Sequence, residues 1–211
     1  MLFLRLVALL PLSALLCWTA CAPAALTAPP PAPAEEPPPK DLDIDDPARE
    51  PDVVFWPTPP SVVDKMLEVA EVKSTDVVYD LGSGDGRIVI AAAKRFGARG
   101  IGFEIDAKLV AESKRLAKEA GVDHLVTFER KDIFTLDLTP ATVVTLYILP
   151  NMIKRLIPQM NKLRPGSRIV SHNYAMPGVE PEKTFTAHLP EAEHLVLLWR
   201  PPLRVSAIKA P

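Results

Sequence analysis

The chain has 211 residues, a formal net charge of −2 and 48% hydrophobic residues, values that suit one globular domain with some additional sequence. It carries no basic stripe, so we expect no nucleic-acid partner. Both cysteines, Cys17 and Cys21, lie in the N-terminal apolar segment, which leaves the globular part without a disulfide or a thiolate zinc site. The four histidines show no ligand spacing, so no metal site is expected.

Residues 1–25 are predicted to be a signal peptide or a membrane anchor. Arg5 precedes an apolar run from Leu6 to Leu16, and small residues follow, which is the layout of a secretory signal. Thr19-Ala20-Cys21 resembles the end of a bacterial lipoprotein signal. An uncleaved anchor is the alternative, because residues 6–26 approach the ~20 residues that span a bilayer. The protein is therefore expected to be exported or membrane-anchored, periplasmic or lipoprotein-like if bacterial, with membrane association through this segment.

Residues 26–52 are predicted to be a disordered linker, because proline and acidic residues dominate them. The folded domain is expected over residues 53–211. Within it, apolar periodicity and glycine or proline breaks predict a helix that opens at Ser61 as its cap, and alternating strands and helices after it. The predicted strands are 77–79, 100–103, 126–128, 142–148, 168–171, 183–188 and 194–199, and the later helices are 87–96, 107–120 and 152–163.

This order predicts an α/β fold of the Rossmann-like type. Strands that alternate with helices form parallel crossover units, so we expect a seven-stranded, mostly parallel sheet with helices on both faces. The last two strands follow each other without a clear helix between them. Such a final pair is typical of class I methyltransferases rather than of dehydrogenases.

A glycine-rich loop connects the first strand of this sheet to the next helix. It reads Asp80-Leu81-Gly82-Ser83-Gly84-Asp85-Gly86, and its glycines allow a tight turn and a close approach of backbone to ligand. Glu104 follows about 20 residues later at the end of the second strand, where a carboxylate can accept both ribose hydroxyls of a nucleoside. We predict cofactor contacts from Asp80, Gly82, Ser83, Gly84, Asp85, Gly86 and Glu104.

The loop favours S-adenosylmethionine over NAD. A dinucleotide loop would place its third glycine at Arg87, one position later than Gly86. Asp80 and Asp85 would repel a pyrophosphate but suit a ligand with a sulfonium and an ammonium group. A small NAD-dependent oxidoreductase is therefore the disfavoured alternative. Asp132, after the third strand, is expected to accept from the adenine amino group with Ile133 against the ring, although a helix-capping role is open.

The stretch DLGSGDGRIVIAAAK from Asp80 resembles a known family, the mitochondrial lysine N-methyltransferases that modify the ATP synthase c subunit and the adenine nucleotide translocase, with their bacterial relatives. The likeness extends from about Val53 to Pro177. It includes Phe55-Trp56-Pro57-Thr58, Tyr147-Ile148-Leu149-Pro150 and the segment 168–172. The chain departs from the family pattern at Trp56, where valine is usual. The resemblance implies protein-lysine methylation, and candidate substrates include membrane proteins.

Three residues that follow the fourth and fifth strands are hypothesised to shape the acceptor channel: Tyr147, Asn173 and Tyr174. Ordinary packing is the alternative for them. Trp56 and Thr58 are expected to fold over the cofactor. No residue can be named as a general base from the sequence.

Two functions remain open at this point, an active lysine methyltransferase and an exported non-catalytic domain that kept the fold. The second deserves weight because S-adenosylmethionine is made in the cytosol. The complete set of glycines and acids favours the enzyme.

Overall fold

The computed structural model describes residues 53–204, and the predicted segments 1–25 and 26–52 lie outside the described residues. One seven-stranded sheet organises this part, in the order β3-β2-β1-β4-β5-β7-β6. Its only antiparallel pairs among the described strands are β5 with β7 and β6 with β7. The strands are β1 Val77–Leu81, β2 Arg99–Glu104, β3 Val126–Arg130, β4 Val143–Leu146, β5 Arg168–His172, β6 Lys183–His188 and β7 Glu193–Trp199.

Helices cover both faces of the sheet, as the sequence predicts. They are α1 Pro60–Val69, α2 Arg87–Phe96, α3 Ala107–Glu119 and α4 Pro150–Met160, with a short 3-10 helix over Ile133–Thr135. Apolar residues of α1, α2 and α3 pack on one face, against Val78, Val143 and Val170 among others. Those of α4 pack on the other face, around Leu146 and Ile169. The two clusters bury the strands on both sides, which explains their nearly continuous apolar runs.

The predicted elements agree with the structure in type and order, but their bounds differ at several ends. Strand β1 extends to Leu81 beyond the predicted 79, β4 is shorter than the predicted 142–148, and α4 ends at Met160 before the predicted 163. Helix starts differ as well. Ser61 does not cap α1, which begins at Pro60 with Pro59 at the N-cap position. Proline suits the first helical position because its fixed φ is helical and its missing N–H would have no partner there. For the same reason α4 begins at Pro150, before the predicted Met152. Patterns of apolar residues alone do not detect these proline-led starts.

The sheet reverses its strand order between β1 and β4. After β1 the chain builds outward through β2 and β3, and it then returns to place β4 on the other side of β1. Ligands of open α/β sheets bind at the carboxyl ends of the strands at such a point. Between residues 53 and 204 there is no helix of the length and apolar character needed to cross a bilayer.

Candidate active site

A cavity of about 330 Å³ opens at the carboxyl ends of β1, β2, β3 and β4. Residues of the glycine loop, of Glu104–Asp106, of Lys131–Ile133 and of Tyr147–Ile148 form its walls. Among the residues predicted to bind cofactor, those that line it are Trp56, Thr58, Asp80, Gly82, Ser83, Asp85, Glu104, Asp132 and Ile133. The fold therefore brings together residues that are far apart in the sequence.

The loop after β1 needs glycine at three positions. Gly82, Gly84 and Gly86 have φ angles of +76°, +55° and +77°, in the left-handed region that other residues adopt at a cost. The N–H groups of Gly82 and Ser83 donate to the carbonyl of Phe103, at 2.9 and 3.0 Å. The turn is thereby fixed to β2, and its backbone lies along the cavity.

Asp80 is almost completely buried at the end of β1. Its Oδ1 accepts a 2.7 Å hydrogen bond from Thr145. Burial, with smaller contributions from the negative charges of Glu104 and Asp85, raises the pKa of Asp80 to about 7. Within the described part of the chain Asp80 Oδ2 and Ser83 Oγ are buried without a hydrogen-bond partner. Both residues line the cavity, so these atoms suit the polar groups of a bound ligand.

Glu104 closes the other side of the loop. Its Oε2 accepts from Gly84 N at 2.8 Å, and its Oε1 accepts from the N–H groups of Ile105 and Asp106 at 2.7 and 3.0 Å. A carboxylate offers about four lone-pair directions, so these bonds leave capacity for one more donor. Glu104 therefore holds the loop and can still receive a ribose hydroxyl, which extends the role that the sequence predicts.

Asp85 lines the cavity, but Arg87 offsets part of the negative charge that the argument from the sequence assigns to it. Its carboxylate is paired with Arg87, with contacts of 2.5 to 3.2 Å. Arg87 also donates to the carbonyl of Thr58 at 2.8 Å. The pair thus ties the segment before α1 to the glycine loop. The rest of the negative character of the site comes from Glu104 and, when it is ionised, Asp80.

Asp132 has the capping role that the sequence leaves open, and its contact with adenine stays a prediction. Its side chain accepts from Phe134 N at 2.9 Å and so caps the 3-10 helix, while the residue also lines the cavity. Ile133 is buried beside it. Lys131, the residue before Asp132, also lines the cavity and forms an ion pair with Glu129 at 2.6 Å.

The segment before α1 passes across the cavity. Phe55 approaches the glycine loop so closely that a Cβ on Gly84 would collide with its ring. Trp56 lines the cavity but is 74% exposed, whereas Thr58 is buried. The segment therefore covers the loop with the ring of Phe55 and presents that of Trp56 to solvent, and the folding of Trp56 and Thr58 over a cofactor stays a prediction.

Tyr147 lines the cavity, and Tyr174 lies beside it. Their rings are stacked with centroids 6.0 Å apart, and both line a second, adjoining cavity of about 280 Å³. Burial raises the pKa of Tyr147, and a hydrogen bond from Asn173 opposes that shift. Asn173 has a φ of +61° and accepts from Leu195 N at 2.8 Å, so it also joins β5 to β7. The catalytic role of Tyr147, Asn173 and Tyr174 stays a prediction.

Sequence reasoning missed two histidines beside this site. His172, at the end of β5, is completely buried, and its ring lies 3.9 Å from that of Tyr147. His172 contacts both Thr58 and His194. The sequence places 21 residues between the two histidines, and only the pairing of β5 with β7 brings them together. The position of His172 directly after a buried strand was the one available signal.

The fold and this cavity define a class I methyltransferase. Three features of the fold support this class: the strand order with an antiparallel β7, the glycine loop after β1 and the acid after β2. The cavity also contains buried polar atoms without a partner in the described structure, and these suit a cationic nucleoside ligand. Asp80, Ser83 and Glu104 would hold S-adenosylmethionine, whose sulfonium supplies an activated methyl group when it is bound.

Comparison with known proteins identifies the family. Residues 80–183 match the ANTKMT methyltransferase domain. The chain is 38% identical over 151 residues to a protein-lysine N-methyltransferase of Saccharolobus islandicus (strain REY15A), across 71% of this chain and 94% of that protein. The chain belongs to this methyltransferase family and uses S-adenosylmethionine, which confirms the resemblance, the fold class, the cofactor and the enzyme prediction.

Two further relatives carry different names. The chain is 33% identical over 112 residues to the ATP synthase c-subunit lysine N-methyltransferase of Xenopus laevis, across 53% of this chain and 49% of that protein. A solved RNA methyltransferase of Salinibacter ruber, in complex with S-adenosyl-L-homocysteine, is 48% identical with a TM-score of 0.64, across 74% of this chain and 97% of that one. The chain spans about half the length of the animal relatives it matches.

Proposed function

We propose that this methyltransferase transfers the methyl group of S-adenosylmethionine to the side chain of a lysine in a protein. The observation that carries the proposal is the match to the Saccharolobus islandicus protein-lysine N-methyltransferase, which extends over 94% of that protein. The animal relatives that are named for lysine methylation of the ATP synthase c subunit and of the adenine nucleotide translocase support it.

The second cavity suits a lysine side chain. It adjoins the cofactor cavity and presents both apolar and polar surface. The two cavities share Val53, Val54, Trp56, Tyr147 and Ile148, and the second is also lined by Leu149 and Tyr174. The aliphatic stem of a lysine can pack on such a surface. An apolar environment also lowers the pKa of an amine, which matters because the neutral form costs about 4–5 kcal/mol at neutral pH.

RNA is the second candidate acceptor, because the Salinibacter ruber relative is named an RNA methyltransferase. Tyr147, Tyr174 and Trp56 could stack on bases as well as hold a lysine stem. The net charge of −2 argues against it, since RNA binding draws most of its affinity from basic residues that neutralise phosphates. We therefore favour protein.

Transfer of a labelled methyl group distinguishes the two acceptors. The purified protein is incubated with radiolabelled S-adenosylmethionine and separate soluble, membrane and RNA fractions of the source organism, and a Glu104→Ala variant serves as the blank. We expect the label to be released by trypsin and not by RNase. After hydrolysis of the labelled protein, the label should be recovered as methyl-lysine. Label that only RNase releases would contradict the proposal.

We further propose that the N-terminal segment places the enzyme at or across a membrane and that membrane proteins are among its substrates. The support is the pattern of Arg5 followed by apolar residues. In the same experiment, enrichment of label in the membrane fraction is expected. Label confined to soluble proteins would contradict this part of the proposal.

A further inference from the structure

A chain of hydrogen-bonded side chains leads away from the cofactor cavity. Thr58 Oγ1 lies 3.1 Å from Nδ1 of His172, and Nε2 of His172 lies 2.8 Å from Nδ1 of His194. Thr58 lines the cavity, His172 is completely buried, and His194 is half-buried on β7. The three side chains therefore connect the cavity wall with the side of the sheet where β7 is partly open to solvent.

The surrounding strands hold this chain in place. Asn173 N donates to the carbonyl of Leu195 at 2.8 Å, and Leu195 N donates to Asn173 Oδ1 at 2.8 Å. These two bonds fix the end of β5 against β7, next to both histidines. The ring of Tyr147 packs on the ring of His172 from the side of β4. A buried polar chain with this much support is expected to keep one geometry.

We propose that Thr58, His172 and His194 carry to solvent the proton that the acceptor amine must lose before it can be methylated. The inference rests on the proposed lysine acceptor. A lysine has a pKa of about 10.4 and is therefore charged at neutral pH, so its lone pair becomes available only when one proton leaves. General acid–base assistance of this kind contributes roughly 10²–10⁴-fold to rates.

The proton transfer balances at every atom. At the start the Thr58 hydroxyl donates to His172 Nδ1, His172 Nε2–H donates to His194 Nδ1, and Nε2 of His194 carries a proton toward water. Thr58 lines the cofactor cavity and not the adjoining acceptor cavity, so the ammonium proton passes through a water of the joined cavities to Thr58 Oγ1. The Thr58 proton moves to His172 Nδ1, the Nε2 proton of His172 moves to His194 Nδ1, and the Nε2 proton of His194 moves to water. The amine is then neutral and each imidazole has exchanged tautomers. Water in the open cavity and at the surface returns the chain to its first state after product leaves.

This route never requires a charged His172. Burial, with a further contribution from nearby His194, lowers the pKa of His172 to about 4, so an imidazolium there would be costly at neutral pH. The titratable groups that face His172 are Tyr147, from the loop after β4, and His194, from β7. Beside His194 along the paired strands, Nδ1 of His188 lies 3.1 Å from a carboxylate oxygen of Glu193.

Replacement of His194 by alanine tests the route. We expect kcat for lysine methylation to fall by about 100-fold or more near neutral pH, with the Kd for S-adenosylmethionine unchanged by calorimetry. The defect should shrink as the pH approaches about 10, because the free lysine then loses its proton in solution. Added imidazole should restore part of the rate. His188→Ala, which removes an exposed histidine of β6, is the matched control and should behave as wild type.

NMR of the histidine rings gives a readout that needs no substrate. In the ligand-free protein we expect His172 to carry its ring proton on Nε2, and His194→Ala to change the ring signals of His172. A ring proton on Nδ1 of His172 at rest would overturn the starting state of the route.

The outcomes separate this inference from the proposed function. A defect in His194→Ala that is the same at every pH and is not relieved by imidazole would show a structural role and overturn the proton route. A wild-type protein that methylates no lysine would overturn the proposed function instead, and the ring tautomers would still report on the hydrogen-bonded chain.

Discussion

Replacing Asp80 by asparagine is expected to stabilise the ligand-free protein above neutral pH and to weaken its binding of S-adenosylmethionine. Asp80 is buried, and its pKa is raised to about 7, above the value of an unfolded chain. A folded state with a raised carboxyl pKa binds more protons than the unfolded state, so its stability is highest below the unfolded pKa and decreases as the pH rises through about 7. Asparagine removes this pH-dependent loss.

The size of the effect follows from the shift. A pKa raised by about three units corresponds to a destabilisation of about 4 kcal/mol when the carboxylate is ionised. A buried amide without a full set of hydrogen-bond partners costs about 1–2 kcal/mol, which offsets part of the gain in the variant. We therefore expect Asp80→Asn to raise the free energy of unfolding by about 2 kcal/mol at about pH 8 and to lose this advantage by about pH 5. Urea unfolding at several pH values measures it. Equal destabilisation at every pH would contradict the account.

Binding of S-adenosylmethionine should favour the ionised form of Asp80, whereas the stability of the ligand-free protein favours the protonated form. A cationic group near Asp80 favours the ionised carboxylate, so the affinity of the wild-type protein for S-adenosylmethionine should rise between about pH 6 and pH 8. The like charges of Glu104 and Asp85 raise the pKa of Asp80, and the cation would offset them. The Asp80→Asn variant should bind S-adenosylmethionine more weakly, and its affinity should change less with pH across this range. A wild-type affinity that falls as the pH rises would exclude this role.

Replacing Gly86 by alanine is expected to lower the free energy of unfolding by about 2–5 kcal/mol. Gly86 has a φ of +77°, which costs alanine about 1–2 kcal/mol. Its Cβ would also lie 2.6 Å from Cζ of Phe128 and 3.0 Å from Cβ of Ser113, both of which are buried. Overpacking of this kind costs about 1–3 kcal/mol. Chemical unfolding measures the loss.

Gly121→Ala is the matched control for this variant. Gly121 has a φ of +70°, but a Cβ there would meet nothing within 4 Å in the described structure. It should therefore show only the conformational cost. If both variants lose the same free energy of unfolding, the close packing of Phe128 against the glycine loop contributes nothing.

Most of the fold was predictable because its signals are local. Strand β1 and helix α2 follow from apolar runs and glycine breaks, and β6 follows from the alternation of Phe185 and Ala187 with polar residues. The predicted Arg87–Phe96 and Lys183–His188 agree with the structure at both ends. The glycine loop and Glu104 were identifiable because strand, loop, helix and acid follow one another in a short stretch. Their spacing encodes the geometry directly.

The parts that the sequence did not reveal depend on contacts across the sheet. Arg87 pairs with Asp85 through a side-chain conformation that residue spacing does not determine. His172 and His194 come together only because β7 inserts antiparallel beside β5. Neither histidine has a ligand or catalytic motif, and only the position of His172 at the end of a buried strand distinguishes it from His124 or His188.

Calorimetric titration of the purified protein with S-adenosylmethionine tests the central claim most directly. We expect micromolar binding by the wild-type protein and by Glu119→Gln, an exposed control on α3. Glu104→Ala should bind at least about 100-fold more weakly, because it loses a charge-assisted hydrogen bond and the anchor of Gly84. Circular dichroism confirms that each variant is folded. A folded wild-type protein that does not bind, or a Glu104→Ala variant that binds equally well, would contradict the account.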